Sequence, residues 1–136
     1  LTDTETLAHL LKFDSVWPRF DHTVEAEEDS LIVDGREIAV FSEKDPAAID
    51  WSSKDVELVV ESTGIFTRRD QAEAHLGGTV TTVVLSAPGK DVDATFVMGV
   101  NEDTYDPEKH EVVSNASCPT NCMAPVVEGL DDGGHA

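Results

Sequence analysis

The sequence predicts an α/β fold built on a parallel sheet, and three observations predict it. Val56, Leu58, Val59 and Val60 make an apolar run broken only by Glu57 and bounded by polar residues, as expected of a parallel strand buried on both faces, and Val80 to Leu85 returns as another strand. Between them, Thr67 to Asp70 caps a helical stretch that ends in His75-Leu76-Gly77-Gly78, a glycine C-cap pattern. Farther on, Met123, Val126, Val127 and Leu130 recur at i, i+3, i+4, i+7, the spacing of a helix face.

Taken in order, Thr2-Asp3-Thr4-Glu5 is a capping box, and Leu7, Leu10 and Leu11 continue it as a helix. Thr23 to Ala26, Leu31 to Val33 and Arg36 to Phe41 alternate like strands around Asp34-Gly35, a turn pair that favours φ > 0. Counting outward from that turn sets Leu31 opposite Ile38 and Val33 opposite Arg36, so Leu31, Val33, Ile38 and Val40 are expected on one packed face. Asp45-Pro46 to Trp51 reads as a short helix or turn. After the first apolar run, Glu61-Ser62-Thr63-Gly64 leaves the carboxyl end of a strand, where open α/β sheets bind ligands. On these residues alone it reads more readily as an ordinary strand-to-helix turn, and only a family resemblance would overturn that. Ser86-Ala87-Pro88 ends the next strand at the same edge, and Thr95 to Val100 and Glu111 to Ser114 are the last strands expected.

Chemistry concentrates in Ser114-Asn115-Ala116-Ser117-Cys118-Pro119-Thr120-Asn121-Cys122-Met123-Ala124-Pro125. Cys118 falls where a helix begins, with Ser117 as its N-cap and Pro119 in the first turn, where a missing N–H costs no hydrogen bond. The positive end of that helix would favour thiolate over thiol at Cys118 and make it a nucleophile, with its own N–H as an oxyanion donor. Cys122, at i+4, is expected in the core beside Val126. A C-x-x-x-C pair has neither redox nor zinc-knuckle spacing, so no metal is expected. His9, His22, His75, His110 and His135 lie in no motif and read as surface or packing residues.

The chain has 136 residues, 28 acidic against 9 basic, for a formal charge of -19 with 40% apolar content. A folded surface so acidic repels nucleic acid and anionic membranes, so neither is an expected partner. It resembles the surfaces of proteins from halophilic organisms, where salt screens dense carboxylates. No apolar run approaches a membrane span and no secretory leader opens the chain. A cytoplasmic location and a reducing compartment for the two thiols are expected.

The run Ser114 to Pro125 resembles the active-site signature of the phosphorylating glyceraldehyde-3-phosphate dehydrogenases. Leu10-Leu11-Lys12-Phe13-Asp14-Ser15-Val16, Glu43-Lys44-Asp45-Pro46, Glu61-Ser62-Thr63-Gly64-Ile65-Phe66-Thr67, Ser86-Ala87-Pro88 and Val97-Met98-Gly99-Val100-Asn101 resemble other segments of that family in the same order. The resemblance implies a partial Rossmann-like NAD(P)-binding domain over residues 1–115, its first βαβ unit missing, running into the first helix of a catalytic domain at 116–136. It further implies a longer parent protein. No G-x-G-x-x-G occurs in the chain, and the family's activating histidine would fall beyond Ala136. By the same resemblance Cys118 is the catalytic nucleophile, and Ser117 and Pro119 touch substrate or phosphate. Pro119 stands where the family has threonine and offers phosphate neither hydroxyl nor N–H. Lys44, Thr63, Gly64, Phe66 and Ser86 border NAD or NADP, the substrates are glyceraldehyde 3-phosphate and inorganic phosphate, and the assembly is a homotetramer. A dehydrogenase of a related phosphorylated aldehyde such as erythrose 4-phosphate, and a non-catalytic acidic module, are the alternatives; the isolated piece is expected to be inactive.

Overall fold

The computed structural model describes residues 2–133, with side chains to residue 131. His135, named above, lies outside the described residues. The chain divides into two compact units, Leu1–Ile49 and Asp50–Ala136.

The first unit opens with helix α1 (Thr4–Lys12). Its N-cap is Asp3 and not the expected Thr2, because the Asp3 carboxylate reaches both the Thr6 N–H, at 2.8 Å, and the Thr6 hydroxyl, at 3.0 Å. Those donors hold the Asp3 carboxyl below the usual aspartate range. Strands β1 (Val24–Ala26), β2 (Ser30–Val33) and β3 (Arg36–Ala39) form an antiparallel sheet in the order β1-β2-β3. Leu31 pairs with Ile38 and Val33 with Arg36, the register the turn dictates. Asp34 and Gly35 both have positive φ, +48° and +80°, as a two-residue hairpin turn of this hand requires. The expected packed face is only partly packed: Leu31 is 7% exposed but Ile38 is 48% exposed. The reason is position, since α1 packs against β1 and β2 and leaves β3 as an edge. A single 3₁₀ turn, Pro46–Ala48, follows, capped by Asp45 on the Ala47 N–H.

The second unit carries a four-stranded, all-parallel sheet in the order β4-β5-β7-β6. Its strands are β4 (Leu58–Glu61), β5 (Thr82–Leu85), β6 (Ala94–Thr95) and β7 (Val112–Ser114). Val59, Val83, Leu85 and Val112 face a core completed by Ala72 and Val80, with Trp51 and Leu76 against it. On the other face, Leu58 and Val60 are more than half exposed, so β4 is not buried on both faces. A run of valines fixes a strand, but burial of its second face needs a second covering layer, and Leu58 and Val60 meet none among the described residues.

Three local expectations shift for identifiable reasons. Helix α2 (Arg69–Ala72) starts after Thr67 with no side-chain cap, because the Thr67 carbonyl accepts the Lys90 N–H (2.9 Å) and the Lys90 carbonyl accepts the Arg69 N–H (3.0 Å). After the 3₁₀ turn Glu73–His75, Gly77 and Gly78, both at positive φ, form a tight reversal back to Val80 in place of a helix C-cap. The strand expected over Thr95 to Val100 stops at Thr95. There the Asn101 side chain accepts the Val97 N–H (2.8 Å) and donates to the Thr95 carbonyl (3.0 Å), curling the backbone into a turn.

Helix α3 (Cys118–Gly133) closes the unit and continues through Asp131-Asp132-Gly133, where the sequence pattern fades. Met123, Val126, Val127 and Leu130 are more than half exposed, and Cys122 is exposed with them, not in a core. An apolar stripe is buried only against a partner surface, and that face of α3 meets no covering layer among the described residues. No helix is long and apolar enough to cross a membrane, among the described residues.

Candidate active site

Three neighbouring strands end level: Glu61 pairs with Leu85, and Leu85 with Ser114. The turns after β4, β5 and β7 therefore leave one edge of the sheet, the carboxyl edge where ligands of such sheets bind. Two further bonds carry the ladder past the strand ends, from the Ser86 N–H to the Glu61 carbonyl (3.0 Å) and from the Asn115 N–H to the Leu85 carbonyl (2.9 Å).

Ser114 ties two of these turns together. Only 1% exposed, its hydroxyl donates to the Ala87 carbonyl (2.7 Å) and accepts the N–H groups of Gly89 and Ala116, each at 3.1 Å. Ala116 is buried at φ +58°, a left-handed conformation unusual for alanine. That kink turns the chain from β7 into α3. Cys118 is the first residue of α3 and is exposed. Ser117 holds the N-cap position, its carbonyl accepting the Asn121 N–H at 2.9 Å, while its hydroxyl pairs with Thr120 Oγ1 at 2.8 Å. Asn121 also turns its side-chain amide back onto the carbonyls of Asn115 (2.8 Å) and Ser117 (3.1 Å), clamping the approach to the cysteine.

Ser86, Ser117, Cys118 and Pro119 come together around one cavity of about 420 Å³, walled also by Ala87, Pro88 and Asn121. The arrangement presents a thiol at the open end of a helix, where N–H groups lack intrahelical partners and the dipole is positive. Such a thiol can attack an electrophilic carbon while nearby N–H groups receive the negative oxygen that develops.

Thr63, Gly64 and Phe66 do not line this cavity; they follow β4 along the same edge. Gly64 has φ +73° and nothing within 4 Å of where a side chain would stand, so a ligand backbone or ring could approach it closely. The Thr63 hydroxyl donates to Glu61 and accepts the Ile65 N–H (3.1 Å), so it is engaged within the turn. Phe66 is half-buried and meets the ring of His75 edge-on, with centroids 6.4 Å apart. Lys44 is exposed and belongs to the first unit.

Sequence reasoning missed Ser114, Asn121 and the pair Glu61–His75. Ser114 and Glu61 each carried a faint signal, a polar residue closing an otherwise apolar strand. Their partners lie tens of residues away or across a helix, where spacing says nothing.

Residues 1–69 match the model of a protein family described as glyceraldehyde 3-phosphate dehydrogenase, NAD binding domain. Over 132 residues, 97% of this chain, the sequence is 54% identical to glyceraldehyde-3-phosphate dehydrogenase 1 of Bacillus cereus. Over the same length it is 52% identical to the glyceraldehyde-3-phosphate dehydrogenases of Streptomyces coelicolor and of Thermotoga maritima. The chain spans 39–40% of the length of these relatives.

Proposed function

The chain belongs to the glyceraldehyde 3-phosphate dehydrogenase family, and from that premise we propose that it carries the nucleophile and one wall of the cofactor site of an enzyme that oxidises a phosphorylated aldehyde and captures the acyl group with phosphate. The observation that carries this reading is the exposed Cys118 at the first residue of α3, opening on the cavity it shares with Ser86 and Ser117.

Cys118 thiolate adds to the aldehyde carbon of glyceraldehyde 3-phosphate and forms the C–S bond of a hemithioacetal. The Cys118 N–H, at the open helix end, holds the oxygen. When bound, a nicotinamide dinucleotide, NAD or NADP, supplies the hydride acceptor. Its fit rests on the open Gly64 backbone and the level strand ends, with Thr63, Gly64, Phe66 and Ser86 as the residues toward it, while Lys44, of the first unit, is assigned to the dinucleotide by the family resemblance alone. The resulting Cys118 thioester is cleaved by inorganic phosphate, whose oxygen takes the acyl carbon as the sulfur leaves. Covalent capture divides one difficult step into two easier ones. Pro119 gives phosphate nothing to bind, so the paired hydroxyls of Ser117 and Thr120 carry that contact.

On this reading residues 1–115 belong to the dinucleotide-binding part and 116–136 begin the catalytic part. The enzyme works in the cytoplasm as a homotetramer on small molecules, with neither nucleic acid nor membrane as partner. Its two thiols are free, as a reducing compartment keeps them. The test is reduction of NAD and NADP by the full-length protein with glyceraldehyde 3-phosphate and phosphate, beside its Cys118→Ser variant. Loss of turnover in the variant is expected, together with faster alkylation of Cys118 in the native protein than of Cys122, which is also exposed. An active Cys118→Ser enzyme would remove the cysteine from the mechanism.

A further inference from the structure

Glu61 is a carboxylate inside an apolar core. It closes β4 on the same face as Val59, beside Leu85, and its side chain is 4% exposed. His75, at the end of the 3₁₀ turn that follows α2, is 6% exposed and places Nε2 3.1 Å from Glu61 Oε2. Apolar residues of similar volume would serve such a core as well or better, since a buried charged or polar pair is commonly neutral or costly for stability. The other carboxylate oxygen indicates what the pair does. Glu61 Oε1 leaves the core and takes two donors from one residue, the Thr63 N–H (2.7 Å) and the Thr63 hydroxyl. The same hydroxyl accepts the Ile65 N–H (3.1 Å), so the backbone from Thr63 to Ile65, with Gly64 at φ +73° between them, is fixed from beneath by one side chain. His75 is in turn held by packing, with Trp51 at 5.8 Å and Phe66 at 6.4 Å between ring centroids.

We propose that Glu61, oriented by His75, is a positioning residue that sets the Thr63–Gly64 turn for dinucleotide binding. The inference rests on the reading of Thr63 and Gly64 as cofactor contacts. Glu61 does not touch the cofactor. It removes in advance the turn's freedom to lie elsewhere, which would otherwise be lost on binding. His75 gives Oε2 a donor, so that the carboxylate is not left half-satisfied in the core.

The test uses the full-length protein and its Glu61→Leu/His75→Phe double variant, in which both polar partners become apolar at similar volume. Melting temperature, dissociation constants for NAD and NADP, KM for dinucleotide and for aldehyde, and hydrogen exchange at the Thr63 amide are measured. The expected result is a melting temperature at or above the native one, faster Thr63 exchange, and dinucleotide affinity weaker by on the order of tenfold, as loss of hydrogen bonds to a charged group allows. KM for dinucleotide rises and KM for aldehyde does not. Native affinity in the double variant overturns the inference, as does a uniform loss of every parameter along with melting temperature. Glu61→Gln serves if the double variant does not fold. It keeps the shape but puts an NH2 donor in place of one acceptor oxygen, so that it opposes either the donors of Thr63 or His75 Nε2, and the bond left on the neutral amide is weaker. Faster Thr63 exchange with weaker dinucleotide binding is expected, and unchanged binding overturns the inference. A native protein that binds neither dinucleotide would overturn the proposed function itself, a result distinct from a native binder whose variants bind equally well.

Discussion

Replacing Ser114 by alanine removes one oxygen, yet that oxygen joins two turns of the active-site edge. The Ala87 carbonyl loses its donor, and the N–H groups of Gly89 and Ala116 lose their acceptor. At 1% exposure water does not replace it freely. Three orphaned groups at about 1 kcal/mol each give a loss of about 3 kcal/mol, and for a chain of this size a fall in melting temperature on the order of 10 °C. The Ala116 N–H matters most, because Ala116 sits at φ +58° and has least reason to stay there without that bond. Ser117→Ala is the control: its hydroxyl pairs only with Thr120 at the surface, and a loss below about 0.5 kcal/mol is expected. Urea unfolding of both variants, with Cys118 alkylation measured by mass spectrometry, reads stability and site geometry together. If Ser114→Ala were no less stable than Ser117→Ala and alkylated at the native rate, the view of Ser114 as the tie between the two turns would be wrong.

Two further outcomes follow from charge. Asp93 is pushed up by burial, but the Val112 N–H, the Arg69 guanidinium and the Glu111 N–H outweigh this and hold its carboxyl below the usual range. Its stabilisation is therefore present above the unfolded-state value and lost as pH falls through the lower folded-state one; acid titration of Asp93→Asn should show a shallower acid limb than native, and an identical limb would discount these bonds. With a formal charge of -19, stability should rise with KCl into the molar range as screening shortens carboxylate repulsion, and a flat or falling melting temperature would remove the salt-adapted reading of the surface.

What the sequence made legible is what neighbours in the chain decide. Asp34-Gly35 demanded positive φ at both positions and thereby fixed the hairpin register, Leu31 on Ile38. Pro119 and the spacing beyond it placed the start of α3 at Cys118. Burial was not legible in the same way, because it belongs to whatever lies on the far side of a face. Leu58, Val60, Ile38 and Cys122 were all expected inside and are all exposed, although most of their elements stand close to where the pattern put them. Side-chain clamps were equally hidden: Asn101 cut a strand short, and Glu61, closing β4, meets His75 of the 3₁₀ turn 14 residues farther on.

Pro119 shows how the legible and the hidden parts bear on one another. Read as a motif, a proline after the nucleophile in place of a threonine removes a hydroxyl and an N–H and puts the phosphate contact at that position in doubt. In the structure Pro119 is the second residue of α3, where the backbone N–H has no carbonyl to meet within the helix. The missing donor therefore costs the helix nothing, and the fixed φ of proline suits the first turn. What the first turn needs is supplied by its neighbours: Asn121 clamps the carbonyls before the cysteine, and Ser117 with Thr120 keeps two hydroxyls beside it. The substitution thus alters what the site can offer to phosphate while leaving intact the geometry that presents the thiol. It bears on the second half of the proposed reaction and not the first.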